Sequence, residues 1–197
     1  MIHMKLEEFC VFSTGGTPST SVKEYYTAGT IPWLVSGDIH KGIITDCEKY
    51  ITELGVANSN AKPLPQNSVL IALNGQGKTR GTVALLRLNN ATCNQSIVAI
   101  SPNPNFAIPE IVYYALQALY SEIRHMTGDN ERSGLSITKV KDISIPLPPI
   151  NEQRRIAAEI ERQLAAVEKA KQAAMEQLDT INAMPAAILR EAFSGQM

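Results

Sequence analysis

The chain has 197 residues, 44% of them hydrophobic, with 18 Lys+Arg against 19 Asp+Glu. That suits one sizeable domain plus an appendage, and it excludes a strongly basic protein that grips nucleic acid unaided by neutralising phosphates. Cys10, Cys47 and Cys93 form no CxxC pair, the three histidines are scattered, and no run approaches the roughly 18 apolar residues of a membrane span, so no disulfide framework, metal site or membrane segment is expected, and a cytoplasmic chain is.

The first 108 residues read as short strands punctuated by Gly, Pro and Asn. Residues 31–35, 42–51, 68–73, 82–88 and 96–100 are each rich in Ile, Val or Leu and bounded by turn residues, which predicts a mixed β-sheet. Val112, Leu116, Leu119, Ile123 and Met126 then follow helical spacing. Pro109 suits the first turn of that helix and Gly128 its stop. A helix covering one face of a sheet makes an α+β domain. After the polar loop 128–135, Pro146, Pro148 and Pro149 favour a stiff extended connection, so the domain is expected to occupy residues 1–150.

Residues 151–197 form the second part. Asn151 is a good N-cap and Glu152 complements the helix dipole in the first turn. Ala157, Leu164, Lys171 and Leu178 then alternate with Ile160, Val167, Ala174 and Ile181 at steps of three and four, an a/d seam sustained for about four heptads. Lys171 is the polar exception, a residue type that fixes register at a cost in stability. Pro185 is expected to interrupt the helix, leaving a short terminal one over 186–193. A helix folded back on its own domain is the plain alternative. The length of the seam, and the lack of a second long helix pattern in the chain, favour a partner in another copy or another protein. Charge does not separate the two parts: residues 1–150 carry 12 basic and 12 acidic side chains, residues 151–197 carry 6 and 7.

Most catalytic motifs fail on spacing. The Gly77-Lys78-Thr79 triplet would need glycine at position 72, where Ala72 stands, and a strand rather than a helix is predicted after it. Asn103 to Phe106 only partly matches the Asn-Pro-Pro-Tyr/Phe element of amino-methyltransferases, and no GxSxG or carboxylate cluster is present. No catalytic residue and no resident cofactor are assigned. A tight hairpin displaying Asn74, Gln76, Lys78, Thr79 and Arg80 fits the segment better. These are the residue types that reach phosphates and base edges, although a solvated polar turn fits them equally well. A second polar tip carries Ser36, Asp38, His40 and Lys41, with Asp38 expected to cap the turn. Trp33 is expected in the core, and Asn94 and Gln95 serve the fold or a base equally well.

Six segments in chain order, GGTPST (15–20), IPWLVSGDI (31–39), SVLIAL (68–73) with its Gly-rich hairpin, ATCNQSIVAI (91–100), IPLPPINEQRRI (145–156) and ILREAFSGQ (188–196), resemble one half of the specificity subunit of type I restriction-modification systems. The resemblance implies a target-recognition domain that reads half of a bipartite site in double-stranded DNA, followed by a helical spacer. Methyltransferase (M) and restriction (R) subunits would be the partners and would hold S-adenosylmethionine, ATP and magnesium. Members of that family usually carry two such halves in one chain. Two copies of this one would therefore pair their helices as an antiparallel coiled coil, a homodimer, and read an inverted repeat.

Lys78 and Arg80 lead the expected DNA contacts, then Asn74, Gln76, Thr79, Lys41 and Arg132. A helix over 151–182 would be about 45–50 Å long, an upper limit of roughly 13–15 base pairs. A coiled-coil adaptor without DNA preference, and an enzyme of methyl transfer or nucleotide hydrolysis, are the competing readings.

Overall fold

A computed structural model describes residues 2–75, 78–126 and 134–194. In chain order the elements are β1 (Ile2–Lys5), α1 (Leu6–Phe9), β2 (Cys10–Thr14), β3 (Ile31–Leu34), β4 (Ile43–Ile44), β5 (Tyr50–Ile51), α2 (Glu53–Ala57), β6 (Val69–Ala72), β7 (Val83–Leu86), β8 (Thr92–Cys93), β9 (Ile97–Pro102), α3 (Pro109–Ala118), α4 (Tyr120–His125), α5 (Ile137–Lys141), β10 (Ser144–Leu147) and α6 (Ile150–Phe193). Two 3-10 turns, over 23–25 and 36–41, add to these. The chain divides into two compact units, one up to Arg154 and one from Arg155 onward.

The first unit is a mixed α+β domain. Its main sheet has the order β2-β9-β6-β7-β4, antiparallel except for the parallel β4–β7 pair. β6 and β7 are buried at every residue, which is why their sequence reads as continuous apolar runs rather than alternation. A second sheet, β5-β3-β8, carries Trp33. Trp33 is buried at 7% exposure and its indole N–H donates to the Gly16 carbonyl. Gly16 N–H in turn donates to the Cys93 carbonyl, and a Cβ on Gly15 would meet that same carbonyl oxygen at 1.7 Å. Only glycine lets the 15–16 backbone lie this close to β8.

β1 pairs antiparallel with β10, Ile2 opposite Leu147 and His3 opposite Pro146, so the start of the domain is zipped to its proline end. Pro146 is tolerated because this ribbon has only two strands and every position is an edge. α3 opens with Pro109 at its first turn, as the spacing predicts. Its Glu110 holds Arg87 of the segment after β7 at 2.6 Å. Thr52 and Ser136 cap α2 and α5 by accepting the N–H of Gly55 and Lys139.

Several expectations change. The strand predicted over 42–51 is two short ones, β4 and β5, in different sheets; its apolar ends serve two partners, and the segment between turns back. The helix predicted from Pro109 to Met126 breaks at Leu119 (φ −86°, ψ 8°) into α3 and α4. The apolar spacing survives because one residue absorbs the break. Gly128, the expected stop, lies outside the described residues. β1, β2, β8 and β10 are strands that the turn-bounded apolar pattern did not mark.

In α6, Asn151 is not the cap: the helix starts at Ile150, and the Pro149 carbonyl accepts the N–H of Glu152 and Gln153. Nor does Pro185 end it. The helix runs through Pro185 for 44 residues, about 66 Å at 1.5 Å per residue. Proline removes one N–H from the ladder, and good helix formers on both sides carry the helix past it.

Candidate nucleic-acid interface

β6 and β7 form the hairpin whose turn spans the glycine-rich segment. Gly75 and Gly81 both have positive φ, 148° and 80°. Gly81 also has Ile123 of α4 at 3.2 Å from where a Cβ would stand. At Gly81 the backbone is therefore packed against α4.

Two side chains hold the turn's backbone from behind. The Tyr120 hydroxyl donates to the Lys78 carbonyl at 2.7 Å, and the Thr82 hydroxyl donates to the same oxygen at 2.8 Å. From the other tip, His40 Nε2 lies 2.9 Å from Thr79 Oγ1. These contacts enclose a cleft of about 430 Å³ lined by His40, Lys78, Thr82, Val83, Gln117 and Tyr120. An exposed ammonium, an imidazole, an amide and a phenol ring share this cleft. Such groups reach phosphate, sugar and base edges, and the ring offers a stacking face.

The expected contact residues are thus divided. Lys78 and Asn74 are exposed at the hairpin, and Thr79 is half-buried against His40. Arg80 is buried, at 9% exposure, rather than displayed at the tip. Gln76 and Arg132 lie outside the described residues. Lys41 turns away toward carboxylates: its Nζ is 2.7 Å from Asp46 Oδ1 and 3.5 Å from Asp38 Oδ1. The Asp46 hydrogen bond holds its pKa above the ordinary lysine value. Asp38 is the cap expected of it, accepting the Val35 N–H at 2.9 Å. Asn94 accepts the Ser96 N–H, and Gln95 accepts from the Thr17 hydroxyl at 2.6 Å, so both serve the loops that carry them.

Gln117, Tyr120 and Thr82 were not on the list of expected contacts. Gln117 and Tyr120, three residues apart, share a helix face, and that face lines the cleft. Thr82 looked like the first residue of a strand. His40 belonged to a recognised tip, but nothing in sequence spacing joined that tip to the hairpin.

A further polar feature lies in the proline segment. Gln153, fully buried, accepts the Ile108 N–H through Oε1 and donates through Nε2 to the carbonyls of Phe106 and Pro148. One amide side chain therefore satisfies three backbone groups and staples the loop before α3 to the prolines.

The seam of α6 is exposed along most of its length. Leu164, Val167, Leu178 and Ile181 are 52–62% exposed, and Lys171 and Ala174 are exposed as well. Ala157 is buried and Ile160 half-buried. Lys171 pairs with Glu168 at 3.3 Å along the helix. No helix among the described residues is long and apolar enough to cross a membrane, and no group of three or more His, Cys, Asp or Glu among them could hold a metal ion.

Comparison with known proteins bears on this arrangement directly. The family model described as "Type I restriction modification DNA specificity domain" matches residues 2–177. The EcoR124I/EcoR124II specificity subunit of Escherichia coli is 33% identical over 144 residues, covering 72% of this chain and 35% of that protein. The MjaIX specificity subunit of Methanocaldococcus jannaschii is 28% identical over 158 residues, covering 78% and 35%. The chain spans about a third of the length of these curated relatives. Among solved structures, a chain of a type I restriction-modification system matches with a TM-score of 0.78 at 23% identity, covering 100% of this chain and 46% of that one. The HsdS subunit from Thermoanaerobacter tengcongensis matches with a TM-score of 0.64, covering 100% and 45%. These structures carry the same fold as the domain and helix described above. With the family match running through the hairpin, the cleft, the proline segment and most of α6, this chain belongs to the DNA specificity domain family of type I restriction-modification systems.

Proposed function

We propose that this chain is a DNA specificity subunit that reads one half of a bipartite site and performs no chemistry itself. Two copies pair through α6 as an antiparallel coiled coil, so that two identical domains face an inverted repeat. Methyltransferase and restriction subunits assemble on them and bring S-adenosylmethionine, ATP and magnesium. The observation that carries this reading is the family match over both the domain and most of the helix. The exposed Lys78 beside a polar cleft, and an apolar seam left in solvent, are consistent with it.

Geometry bounds the target. At about 3.4 Å per base pair, a helix of 44 residues reaches across at most roughly 19 base pairs. Half-sites about one or two helical turns apart put both domains on one side of the duplex. Because the chain is close to neutral, much of the phosphate contact falls to the partner subunits. Co-expression with a methyltransferase subunit, followed by mapping of methylated positions, should give a two-part symmetric motif that disappears without this chain. Methylation with no sequence preference would reject the reading in favour of a structural adaptor.

A further inference from the structure

The turn between β6 and β7 is held through one peptide group. The Lys78 carbonyl accepts two hydroxyls, from Tyr120 of α4 at 2.7 Å and from Thr82 at 2.8 Å. A carbonyl oxygen has two lone pairs, so this one is saturated, and rotating the peptide between Lys78 and Thr79 would break both bonds at once. Arg124, one helical turn further along α4, donates through Nη1 to the same phenol oxygen at 3.3 Å. At Gly81 the backbone packs against Ile123 of α4, and the Gly81 N–H donates to the Ala72 carbonyl at 2.9 Å. α4 therefore meets this segment at two points, by a hydrogen bond at Lys78 and by close packing at Gly81.

A turn entered at Gly75, with φ of 148°, has backbone freedom to lose when it is ordered. Fixing it before a partner arrives removes that cost from binding. The side chain this serves is Lys78, which is exposed and springs from the clamped peptide. Thr79, on the other side of that peptide, is 2.9 Å from His40, so the second polar tip is tied to the same point. The Tyr120 hydroxyl has one donor, and the turn takes it. None is left for a base acceptor while the clamp is closed.

We infer that Tyr120 is a positioning residue for DNA recognition. Its hydroxyl, together with that of Thr82, presets the Lys78 peptide so that the ammonium meets the duplex already in place, and it acts through that oxygen rather than by stacking its ring on a base. The inference rests on the DNA-reading role proposed above. It adds the device that readies the hairpin for that role and assigns it to a residue 42 positions away in sequence.

Three variants of the full chain, each assembled with the methyltransferase subunit, test it. Tyr120→Phe removes only the oxygen, Tyr120→Leu removes the ring as well, and Thr82→Val removes the other hydroxyl. Before DNA is added, the amides of Gly81 and Thr82 should exchange hydrogen several-fold faster in Tyr120→Phe than in the unaltered complex, and at equal rates once a duplex carrying the methylated motif is bound. The dissociation constant for that duplex should rise about tenfold. The slope of log affinity against log salt should not change, because every phosphate contact still forms. Tyr120→Leu should lose no more than Tyr120→Phe, and Thr82→Val should move exchange and affinity in the same direction. Unchanged affinity in Tyr120→Phe would overturn the inference even if its urea midpoint falls, since the hydroxyl would then serve the fold alone. A silent Tyr120→Phe beside a weakened Tyr120→Leu would make the ring the contact and overturn it too. If the unaltered complex binds all duplexes alike, the specificity reading itself falls, and the role of Tyr120 with it, whatever the exchange rates.

Discussion

Gln153 shows how much one side chain carries here. Removing its amide in Gln153→Ala leaves the Ile108 N–H and the Phe106 and Pro148 carbonyls without that partner. Unsatisfied buried groups cost about 1–3 kcal/mol each, so urea unfolding should show the domain destabilised by about 2 kcal/mol or more. Gln153→Glu keeps the acceptor but sets a carboxylate against two carbonyl oxygens in a fully buried site, and at neutral pH it should cost at least as much as Gln153→Ala. Lys78 and Arg80, two residues apart, should part company in the same way. Lys78→Ala leaves stability unchanged and weakens DNA binding by the assembled complex. Arg80→Ala lowers stability by about 1–3 kcal/mol because the side chain is buried. Equal stability of the two variants would place Arg80 at the surface after all.

The cysteines add a pH dependence at the same scale. Burial raises the Cys93 thiol to about 12, against about 8.5 in an unfolded chain. The folded state then holds a proton that the unfolded state loses, so stability is full below about pH 8.5 and falls as pH rises above it. The slope is up to about 1.4 kcal/mol per pH unit for this one group. Cys93→Ala should flatten the decline between pH 8.5 and 10, which chemical denaturation at stepped pH would measure.

At the scale of elements, α6 and the hairpin behave differently from their sequence pattern. The seam residues of α6 are exposed, and a helix of this length with a solvated apolar stripe is stabilised by burying that stripe. Lys171 sits in it, paired with Glu168 along the same helix. Lys171→Leu should therefore strengthen self-association about tenfold or more by equilibrium sedimentation, whereas Val167→Asp should abolish it. The domain's unfolding transition should stay in place in both, since neither residue belongs to its core. The hairpin was legible from its glycines and flanking apolar runs. What held it was not, because Tyr120 and His40 reach it from elements 42 and 39 residues away in sequence.

For the whole molecule, near-neutral charge limits what the chain can do alone. Each phosphate contact contributes about 0.9 to the slope of log affinity against log salt. The complex containing Lys78→Ala should lose about one unit of slope at every DNA sequence, without a change in the preferred site. A change of site would make Lys78 a base reader.

The local content of this protein was written in its residues. Pro109 opens a helix, Asp38 closes a turn, the runs at 69–72 and 83–86 are buried strands, and the heptad stripe is helical, although its passage through Pro185 was not legible. These depend on backbone preferences and on periodic burial, both of which act over a few residues. Pairing was decided only in the folded chain: β1 with β10, the division of 42–51 between two sheets, the break at Leu119, and the burial of Arg80. Each depends on which distant surface is available to cover an apolar side chain or satisfy a backbone group, and spacing along one segment does not encode that. The candidate site follows the same rule. Its exposed lysine could be read from the sequence, whereas the cleft that gives the lysine a setting exists only because α4, the 36–41 turn and the hairpin meet.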